Sequence, residues 1–221
     1  MLTGKATNMK YIIMCGGQYP NWKTPKHLTV INGETIVERT IRLLREAGVT
    51  DIAVSSNLEG FEFLDVPILK HDNSFICGVS GNDWVDAFYP MEEPVCYVFG
   101  DVVFSPEAIQ KIVNTQTDGI QFFASSASIP FDKRYIKIWA EPFAFKVMDT
   151  IGFRNAIDLT KKFDRENKFY RRPVSWELWQ VIKGTQLNEI VYNNYVIIND
   201  YTCDIDEESD IPKFEAILCN T

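Results

Sequence analysis

The feature that most restricts the fold is an alternation of short apolar segments with longer segments of helical periodicity. Residues 94–99 form a near-continuous apolar run, as expected of a strand that is covered on both faces. Residues 10–15 are rich in Tyr and Ile, which also predicts a strand. Apolar residues recur at helical spacing over residues 34–47, which indicates an amphipathic helix. The order β-α-β-β-α-β-α-β through the first half therefore predicts an α/β fold with a largely parallel sheet.

The remaining pattern completes this prediction. We predict further strands at residues 51–56, 66–69, 119–124, 135–140, 143–148 and 196–199, and helices at residues 83–89, 106–114, 150–163, 174–183 and 207–218. No linker, repeat or low-complexity tract interrupts the pattern, so we expect residues 9–221 to form one α/β/α sandwich with a mixed, mostly parallel central sheet. Residues 1–8, which precede a second methionine, are expected to be a disordered extension.

Charge and composition narrow the class of protein. The net charge of −8 argues against a general nucleic-acid binder, which needs a basic surface to neutralise phosphates. No apolar run is long enough to cross a membrane, and the first residues lack the apolar segment of a secretory signal. The five cysteines are odd in number and never spaced as Cys-x-x-Cys, so we interpret them as reduced thiols of a cytoplasmic protein.

A turn of small residues follows the first predicted strand. Gly16 and Gly17 let backbone N–H groups approach a phosphate closely, and Lys26 further along can neutralise phosphate charge. The turn lacks both the Gly-x-Gly-x-x-Gly spacing of dinucleotide-binding folds, which disfavours a nicotinamide oxidoreductase, and the Gly-Lys-Ser/Thr of a Walker loop. A plain surface turn with a solvated lysine is the alternative. His27 and His71 have no partners at metal-ligand spacing, and we interpret both as structural.

Acidic residues follow two other segments. Asp101 comes directly after the apolar run at residues 94–99, where a carboxylate is well placed to hold Mg2+. Asp204 and Asp206 share one side of the chain if residues 203–206 are extended, because side chains alternate along a strand. The plainer alternatives are a turn residue for Asp101 and favourable negative charge before a helix for the later pair. In open α/β sheets ligands bind beyond the carboxyl ends of strands, which is where Asp101 and the glycine turn are predicted to lie.

These clusters, in this order, resemble a family of nucleotidyltransferases with a GT-A-like (nucleotide-diphospho-sugar transferase) fold. The family includes sugar-1-phosphate nucleotidyltransferases, phosphocholine cytidylyltransferases and molybdenum-cofactor guanylyltransferases. The resemblance is carried by the strand and loop at residues 10–17, Pro25-Lys26, the helix and strand at residues 33–54, Gly100-Asp101, and Asp204-Ile205-Asp206. It extends over residues 9–218 and is loose over residues 125–195.

The resemblance implies a Mg2+-dependent enzyme that joins an NTP, with CTP slightly favoured, to a small phosphorylated acceptor such as a sugar 1-phosphate or phosphocholine, releasing pyrophosphate. Lys26 would stabilise charge at the α-phosphate, and Mg2+ would be held by Asp101 and Asp204, with weaker support from Asp206. Nucleotide contacts are implied for Gly16, Gly17, Lys23, Gly78, Gly81 and Asn82. The N-terminal half would thus bind the nucleotide and the C-terminal half the acceptor, in a cytoplasmic route to polysaccharide precursors.

The second half supplies candidates for the acceptor site. Lys146, Arg171 and Arg172 are cations available for an acceptor phosphate. Trp176 is a candidate wall for a quaternary amine, although its position on a predicted helix also fits core packing. Glu141, followed by Pro142, resembles the Glu-Lys-Pro of many sugar enzymes without its lysine, which makes it a further acceptor candidate.

One departure from the family pattern keeps two other functions open. The family loop commonly reads Gly-x-Gly-x-Arg, whereas this chain has no arginine there, and Lys23 does not reproduce an arginine fork. A non-catalytic nucleotide-binding homologue is therefore one alternative. A glycosyltransferase on the same fold is another, although Asp101-Val102-Val103 lacks the Asp-x-Asp of such enzymes.

Overall fold

The computed structural model of the protein describes residues 9–17, 22–71, 84–126 and 140–219, so the extension expected at residues 1–8 lies outside them. The strands are β1 (Lys10–Met14), β2 (Val30–Ile31), β3 (Glu34–Thr35), β4 (Ile52–Ser55), β5 (Ile68–Leu69), β6 (Val95–Phe99), β7 (Val102–Val103), β8 (Ile120–Ala124), β9 (Pro142–Val147), β10 (Val196–Ile197) and β11 (Cys203–Asp204). The helices are α1 (Ile36–Glu46), α2 (Pro106–Asn114), α3 (Thr150–Arg165), α4 (Ser175–Lys183) and α5 (Ile211–Leu218). Short 3-10 turns span Lys26–Leu28, Trp84–Ala87 and Glu208–Asp210. None of the described helices combines the length and the apolar character that crossing a membrane requires.

The central sheet has seven strands in the order β10-β8-β9-β6-β1-β4-β5. Every pairing in it is parallel except those of β9, which runs antiparallel to both β6 and β8. This confirms the predicted α/β class with a mixed, mostly parallel sheet. Because β9 is reversed, its first residue lies at the edge where the parallel strands end, and residues on both sides of β6 can meet there.

The strand predicted from a near-continuous apolar run, β6, lies beside β1 at the middle of the sheet. Ile13 of β1 pairs with Val98 of β6, and all five residues of β6 are buried. Strands covered on both faces cannot alternate polar and apolar residues, which explains the near-continuous run of β6. Burial of this core fixes the position of the residues that follow each strand.

The first helix begins at Ile36 rather than at the predicted Glu34, because β2 and β3 form a hairpin that uses Glu34 and Thr35. Asn32 and Gly33 turn the hairpin with φ angles of 50° and 83°, a region that glycine and asparagine tolerate. The Thr35 hydroxyl accepts the Glu38 N–H at 3.2 Å, and the Glu38 carboxylate accepts the Thr35 N–H at 2.9 Å. This capping box fixes where the helix begins.

A two-stranded ribbon joins the end of the chain to the middle of the sheet. Asp204 of β11 pairs with Val102 of β7, and the N–H of Ile205 donates to the carbonyl of Asp101 at 3.0 Å. The extended segment expected at residues 203–206 is thus confirmed for its first half. The ribbon brings the two acidic segments of the sequence to the same place.

The last helix is shorter than predicted. A 3-10 turn at Glu208–Asp210 precedes α5, because the carboxylate of Asp210 accepts the N–H groups of Asp206 and Glu207, each at 3.1 Å. These bonds hold the chain in a turn before the helix starts. Of the strand predicted at residues 135–140, only Ala140 is described, and it lies outside a strand.

Candidate active site

A cleft of about 210 Å³ opens at the edge of the sheet where the parallel strands end. It is lined by Met14, Gly16, Gly17, His27, Trp84, Ala87, Phe99, Asp101, Glu141, Pro142, Val174, Ser175 and Asp204. We call Gly16, Gly17, His27, Asp101 and Asp204, with Lys26, the β1 side, and Glu141, Pro142, Val174 and Ser175 the β9 side. The cleft lies where ligands of open α/β sheets bind.

Lys26 and Asp101 form an ion pair on the β1 side, with 2.8 Å between Nζ and the carboxylate. The Lys26 side chain is 2 % exposed and that of Asp101 is 20 % exposed. Lys26 begins a 3-10 turn that Pro25 introduces, and the N–H of Leu28 donates to the Pro25 carbonyl at 2.8 Å. Proline suits this position because its φ is fixed near the helical value. The structure thus brings together two residues that the sequence singled out separately.

Gly100 allows Asp101 to reach this position. Its N–H donates to the Met14 carbonyl at 3.0 Å, and a Cβ at Gly100 would lie 2.6 Å from the Met14 carbonyl oxygen and 2.4 Å from Cys15 Sγ. Only glycine fits so close to the neighbouring strand end. The close approach places the glycine turn after β1 and the carboxylate after β6 next to each other.

The charge on Asp101 reflects two opposing effects. Burial is the largest single effect and raises the pKa of its carboxyl, but the Lys26 ammonium, His27 and hydrogen bonds together outweigh it, and the pKa lies below its usual value. Asp101 is therefore ionised at neutral pH although it is largely buried. An ionised carboxylate is the form that binds a cation.

His27 also lines the cleft, and it is 3 % exposed. Its Nδ1 is buried and has no hydrogen-bond partner among the described residues. Burial and the neighbouring Lys26 lower the His27 pKa, which Asp101 raises, and the result is a pKa of about 4. The imidazole is therefore neutral at pH 7. We interpreted His27 from the sequence as a structural residue. Its position directly after Lys26 was the one signal that could have suggested a place in the cleft.

The glycine turn is held rigidly at its base. The N–H of Cys15 donates to the Ser55 carbonyl at 2.8 Å, and the Ser56 hydroxyl donates to the Cys15 carbonyl at 2.8 Å. Gly16 and Gly17 follow directly and line the cleft. Backbone N–H groups in such a turn are available to an anion.

Two carboxylates of the β1 side, Asp101 and Asp204, have the chemistry of a magnesium site. No group of three or more His, Cys, Asp or Glu side chains within the described ranges could hold a metal ion by itself. Mg2+ is commonly held by one or two carboxylates together with substrate phosphates, and a pair meets that requirement. The arrangement fits an ion that arrives with a phosphate ligand.

The cleft as a whole is acidic. The described residues that line it include three carboxylates, Asp101, Asp204 and Glu141, and no lysine or arginine, although Lys26 contacts Asp101. Anionic ligands would be repelled unless a cation accompanied them. A nucleoside triphosphate bound with a divalent ion satisfies this condition.

On the β9 side, Glu141 is held just before β9 begins. Its N–H donates to the Ser125 hydroxyl at 2.9 Å, and its carbonyl accepts the Ser125 N–H at 2.9 Å. The residue is 6 % exposed and lines the cleft together with Val174 and Ser175 at the start of α4. A buried acidic residue is therefore part of the cleft lining on this side.

Comparison with known protein families decides the class of this chain. The family model described as a MobA-like NTP transferase domain matches residues 11–138, more than half of the chain. The chain belongs to the MobA-like NTP transferase family. The match spans the glycine turn, Lys26, His27 and Asp101, so the β1 side of the cleft, apart from Asp204, lies within the matched nucleotidyltransferase domain. The predicted enzyme class is confirmed.

Solved structures share the fold of this NTP transferase at low sequence identity. The inositol-1-phosphate CTP transferase from T. maritima is 15% identical, with a TM-score of 0.61 and 96% of each chain covered. The CTP:phosphocholine cytidylyltransferase from Streptococcus pneumoniae is 17% identical, with a TM-score of 0.55 over 95% of this chain and 99% of that one. No protein of curated function matches the chain significantly in sequence. The fold predicted from the resemblance is thus confirmed.

Several nucleotide-site residues predicted for this NTP transferase lie apart from the cleft or outside the described residues. Asp206 is exposed and is not among the residues that line the cleft, and its carbonyl accepts the Trp22 indole N–H at 3.4 Å. Lys23 is exposed next to the undescribed residues 18–21. The predicted base contacts lie outside the described residues; they are Gly78, Gly81 and Asn82.

Lys146 was predicted as an acceptor cation, but the structure places it away from the cleft. It pairs with Cys96 of β6, toward the end of the antiparallel strand β9, whereas the cleft lies at the start of β9. Its ammonium donates to the carbonyls of Val113 and Thr115 at 2.9 and 2.8 Å. Lys146 therefore caps the end of α2 rather than contacting a ligand in the cleft.

Of the other predicted acceptor residues of the NTP transferase, Glu141 lines the cleft, whereas Arg171, Arg172 and Trp176 do not. Arg171 pairs with the buried Glu177 carboxylate at 2.6 Å, and Arg172 is exposed. Trp176 is 2 % exposed and donates its indole N–H to the Ala140 carbonyl at 2.7 Å, so it supports the backbone just before Glu141. Trp176 is therefore packed in the core, which was the alternative interpretation of its position on a predicted helix.

Proposed function

We propose that this NTP transferase transfers a nucleotidyl group from a magnesium-bound NTP, with CTP favoured, to a small phosphorylated acceptor, releasing pyrophosphate. The observation that carries the proposal is the ion pair of Lys26 and Asp101 in one cleft with Asp204 and the glycine turn. These are a cation for phosphate charge, two carboxylates for a metal ion and a backbone turn for phosphate oxygens. Together they match the needs of nucleotidyl transfer.

In this proposal Asp101 and Asp204 would hold Mg2+, which neutralises phosphate charge and favours attack on the α-phosphorus. Asp101 is ionised, since Lys26 keeps its pKa below the usual value. A cation bound by Asp101 would weaken the attraction between Asp101 and Lys26. The Lys26 ammonium would then be available for the charge that develops on the transferring phosphate.

Glu141 supports a particular class of acceptor. A buried carboxylate on the β9 side favours a hydroxyl or a positively charged group opposite it and disfavours a second anion. Phosphocholine and inositol 1-phosphate, which name the substrates of two structural neighbours, carry a cation and hydroxyls respectively. We therefore propose an acceptor whose phosphate lies toward Lys26 and whose cationic or hydroxyl-rich part lies toward Glu141.

A matrix of substrates tests this function. Each of the four NTPs is combined with phosphocholine, inositol 1-phosphate and glucose 1-phosphate, with Mg2+ or with EDTA, and pyrophosphate release is measured. We expect turnover with Mg2+ for one pyrimidine NTP, CTP first, and one acceptor, and none with EDTA. Pyrophosphate release that EDTA leaves unchanged would contradict the metal assignment.

The same matrix distinguishes the alternatives. The missing loop arginine favours a non-catalytic homologue as the second candidate, which predicts thermal stabilisation by a nucleotide with no turnover on any acceptor. A nucleotide sugar added as a further substrate tests the glycosyltransferase, which would release a nucleoside diphosphate. Against the glycosyltransferase, Val102 and Val103, which follow Asp101, are buried in β7 and supply no second carboxylate. A cytoplasmic reaction that supplies activated polysaccharide precursors is part of our proposal.

A further inference from the structure

The imidazole of His27 is the part of the cleft that the proposed mechanism leaves unused. His27 is 3 % exposed, lines the cleft, and has a buried Nδ1 without a hydrogen-bond partner among the described residues. Most buried polar side-chain atoms have a partner, so an exception in a ligand-sized cleft asks for an explanation. A ligand that supplies the missing partner is the simplest one.

The surroundings of His27 indicate which part of a ligand this is. Lys26 precedes it in the chain, Asp101 interacts with it electrostatically, and Gly16 and Gly17 line the same side of the cleft. All of these belong to the side where the proposed function puts phosphate and metal. Glu141, which the proposed function assigns to the acceptor, belongs to the other side.

We propose that His27 is a further nucleotide-binding residue, which donates a hydrogen bond from its neutral imidazole to an oxygen of the phosphate chain. This inference rests on the proposed function, because it takes the β1 side as the phosphate site. A neutral donor suits the position, since a second cation beside Lys26 would be repelled while an N–H still attracts an anionic oxygen. It also supplies a phosphate contact in a chain whose loop lacks the family arginine.

The test compares three substitutions at one position. His27→Leu removes both ring nitrogens at similar volume, His27→Asn keeps a polar atom near Nδ1, and His27→Gln keeps one near Nε2. The probes are magnesium pyrophosphate, magnesium NTP and the free nucleoside, and binding is measured by calorimetry on the full chain. The melting temperature without ligand is recorded for each variant.

We expect His27→Leu to weaken binding of magnesium pyrophosphate and magnesium NTP about 10-fold, as loss of a hydrogen bond to a charged group does. Binding of the nucleoside should not change, and either the Asn or the Gln variant should recover most of the loss, which identifies the nitrogen. The unliganded melting temperature should be no lower than that of the wild type, because the atom removed has no partner among the described residues.

Three results would overturn the inference. If His27→Leu binds magnesium pyrophosphate as tightly as the wild type does, His27 makes no phosphate contact. Release of pyrophosphate by the wild-type enzyme would in that case still support the proposed function. Equal losses for nucleoside and pyrophosphate would assign His27 to another part of the nucleotide. A lower unliganded melting temperature in all three variants, with ligand affinities unchanged, would make the histidine structural. Conversely, a His27-dependent affinity for magnesium pyrophosphate in a protein without turnover would support the inference and contradict the proposed function.

Discussion

The two sides of the cleft are built in different ways. The β1 side consists of Gly16, Gly17 and Asp101, which follow two central strands, of Lys26 and His27 in a 3-10 turn, and of Asp204 in the ribbon strand β11. The Lys26 ammonium is bonded to Asp101. The β9 side comes from an antiparallel strand start and a helix start, and the cations predicted for it are engaged elsewhere, Arg171 with Glu177 and Lys146 with α2 carbonyls. The comparison shows that, among the described residues, the β1 side combines two carboxylates with a bonded lysine, whereas the β9 side offers a carboxylate and no cation.

This difference has a consequence for recognition. The β1 side holds Lys26 next to Asp101 and Asp204, a set of groups suited to a metal ion and a phosphate together. Phosphate is the part that all nucleotides share, so this side is suited to bind any of them. A side formed by Glu141 and the start of α4 is suited to distinguish one acceptor from another through hydroxyl or cationic groups. Substitutions on the two sides should therefore change different kinetic constants.

The largest effect is expected at Lys26. Lys26→Met should lower turnover about 100–1000-fold, because it removes a cation aimed at charge that develops in the transition state. Pyrophosphate release under saturating substrates measures this. The matched control is Lys10→Met, which removes a second Lys–Asp pair, with Asp51 at 2.5 Å, whose side chains are 29 % and 35 % exposed. The control should keep turnover within about twofold, since exposed pairs contribute little. Equal turnover in the two variants would remove Lys26 from the mechanism.

The β1 side could be anticipated from the sequence because its residues follow recognisable elements. A near-continuous apolar run identified β6 and the Tyr and Ile content identified β1, and chain order then located the glycine turn and Asp101 at one edge. The ion pair with Lys26 was not predictable, because it depends on how the 3-10 turn at Lys26–Leu28 lies against the end of β6.

The β9 side could not be anticipated in the same way. Nothing in the sequence around Lys146 shows that β9 runs antiparallel, and this direction is what separates Lys146 from the cleft.

The ribbon of β7 and β11 was also missed. Two-residue strands carry no periodicity and are defined only by a partner distant in the chain. The acceptor residues were predicted from their charge. Which charged side chains reach the cleft depends instead on how strands distant in the chain pair with one another.

The second prediction concerns acid sensitivity of the β1 side. The His27 pKa is lowered from 6.5 to about 4, so the unfolded chain binds a proton between these pH values that the folded protein does not. Stability is therefore complete above pH 6.5 and is lost as the pH falls toward 4, by about 3 kcal/mol at most. Denaturant unfolding of wild type and His27→Leu across this range measures the difference. Parallel stability curves would show that the histidine is not the acid-sensitive group.

The third prediction tests the close approach of the strand ends. Gly100→Ala would place a Cβ 2.6 Å from the Met14 carbonyl oxygen, which the sheet holds in place, and should cost about 1–3 kcal/mol of unfolding free energy. Gly119→Ala is the matched control, because nothing lies within 4 Å of its added Cβ, and it should change stability by about 0.5 kcal/mol or less. Chemical denaturation compares them. A tolerated Gly100→Ala would mean that the β1 side is less tightly assembled than its geometry indicates.

The fourth prediction separates the two later carboxylates. Asp204 lines the cleft, whereas Asp206 is exposed and outside it. Asp204→Asn should raise the magnesium concentration for half-maximal activity about tenfold, because a neutral amide is a weaker ligand for a hard cation. Asp206→Asn should leave it within about twofold. A larger effect at Asp206 than at Asp204 would move the metal site along the ribbon and away from Asp101.

The smallest effect is expected at Arg171, which is connected to the β9 side through Glu177 and Val174. The Arg171 side chain is 43 % exposed and its guanidinium is bonded to Glu177, which also accepts the N–H of Val174 at 2.9 Å. Arg171→Gln should therefore raise the KM for the acceptor less than about threefold, since Arg171 is not among the residues that line the cleft. Glu141→Gln, measured beside it, should change the acceptor KM more, because Glu141 lines the cleft. If Arg171→Gln instead raised the acceptor KM tenfold with Glu141→Gln unchanged, positive charge would select the acceptor, and the contrast between the two sides of the cleft would not hold.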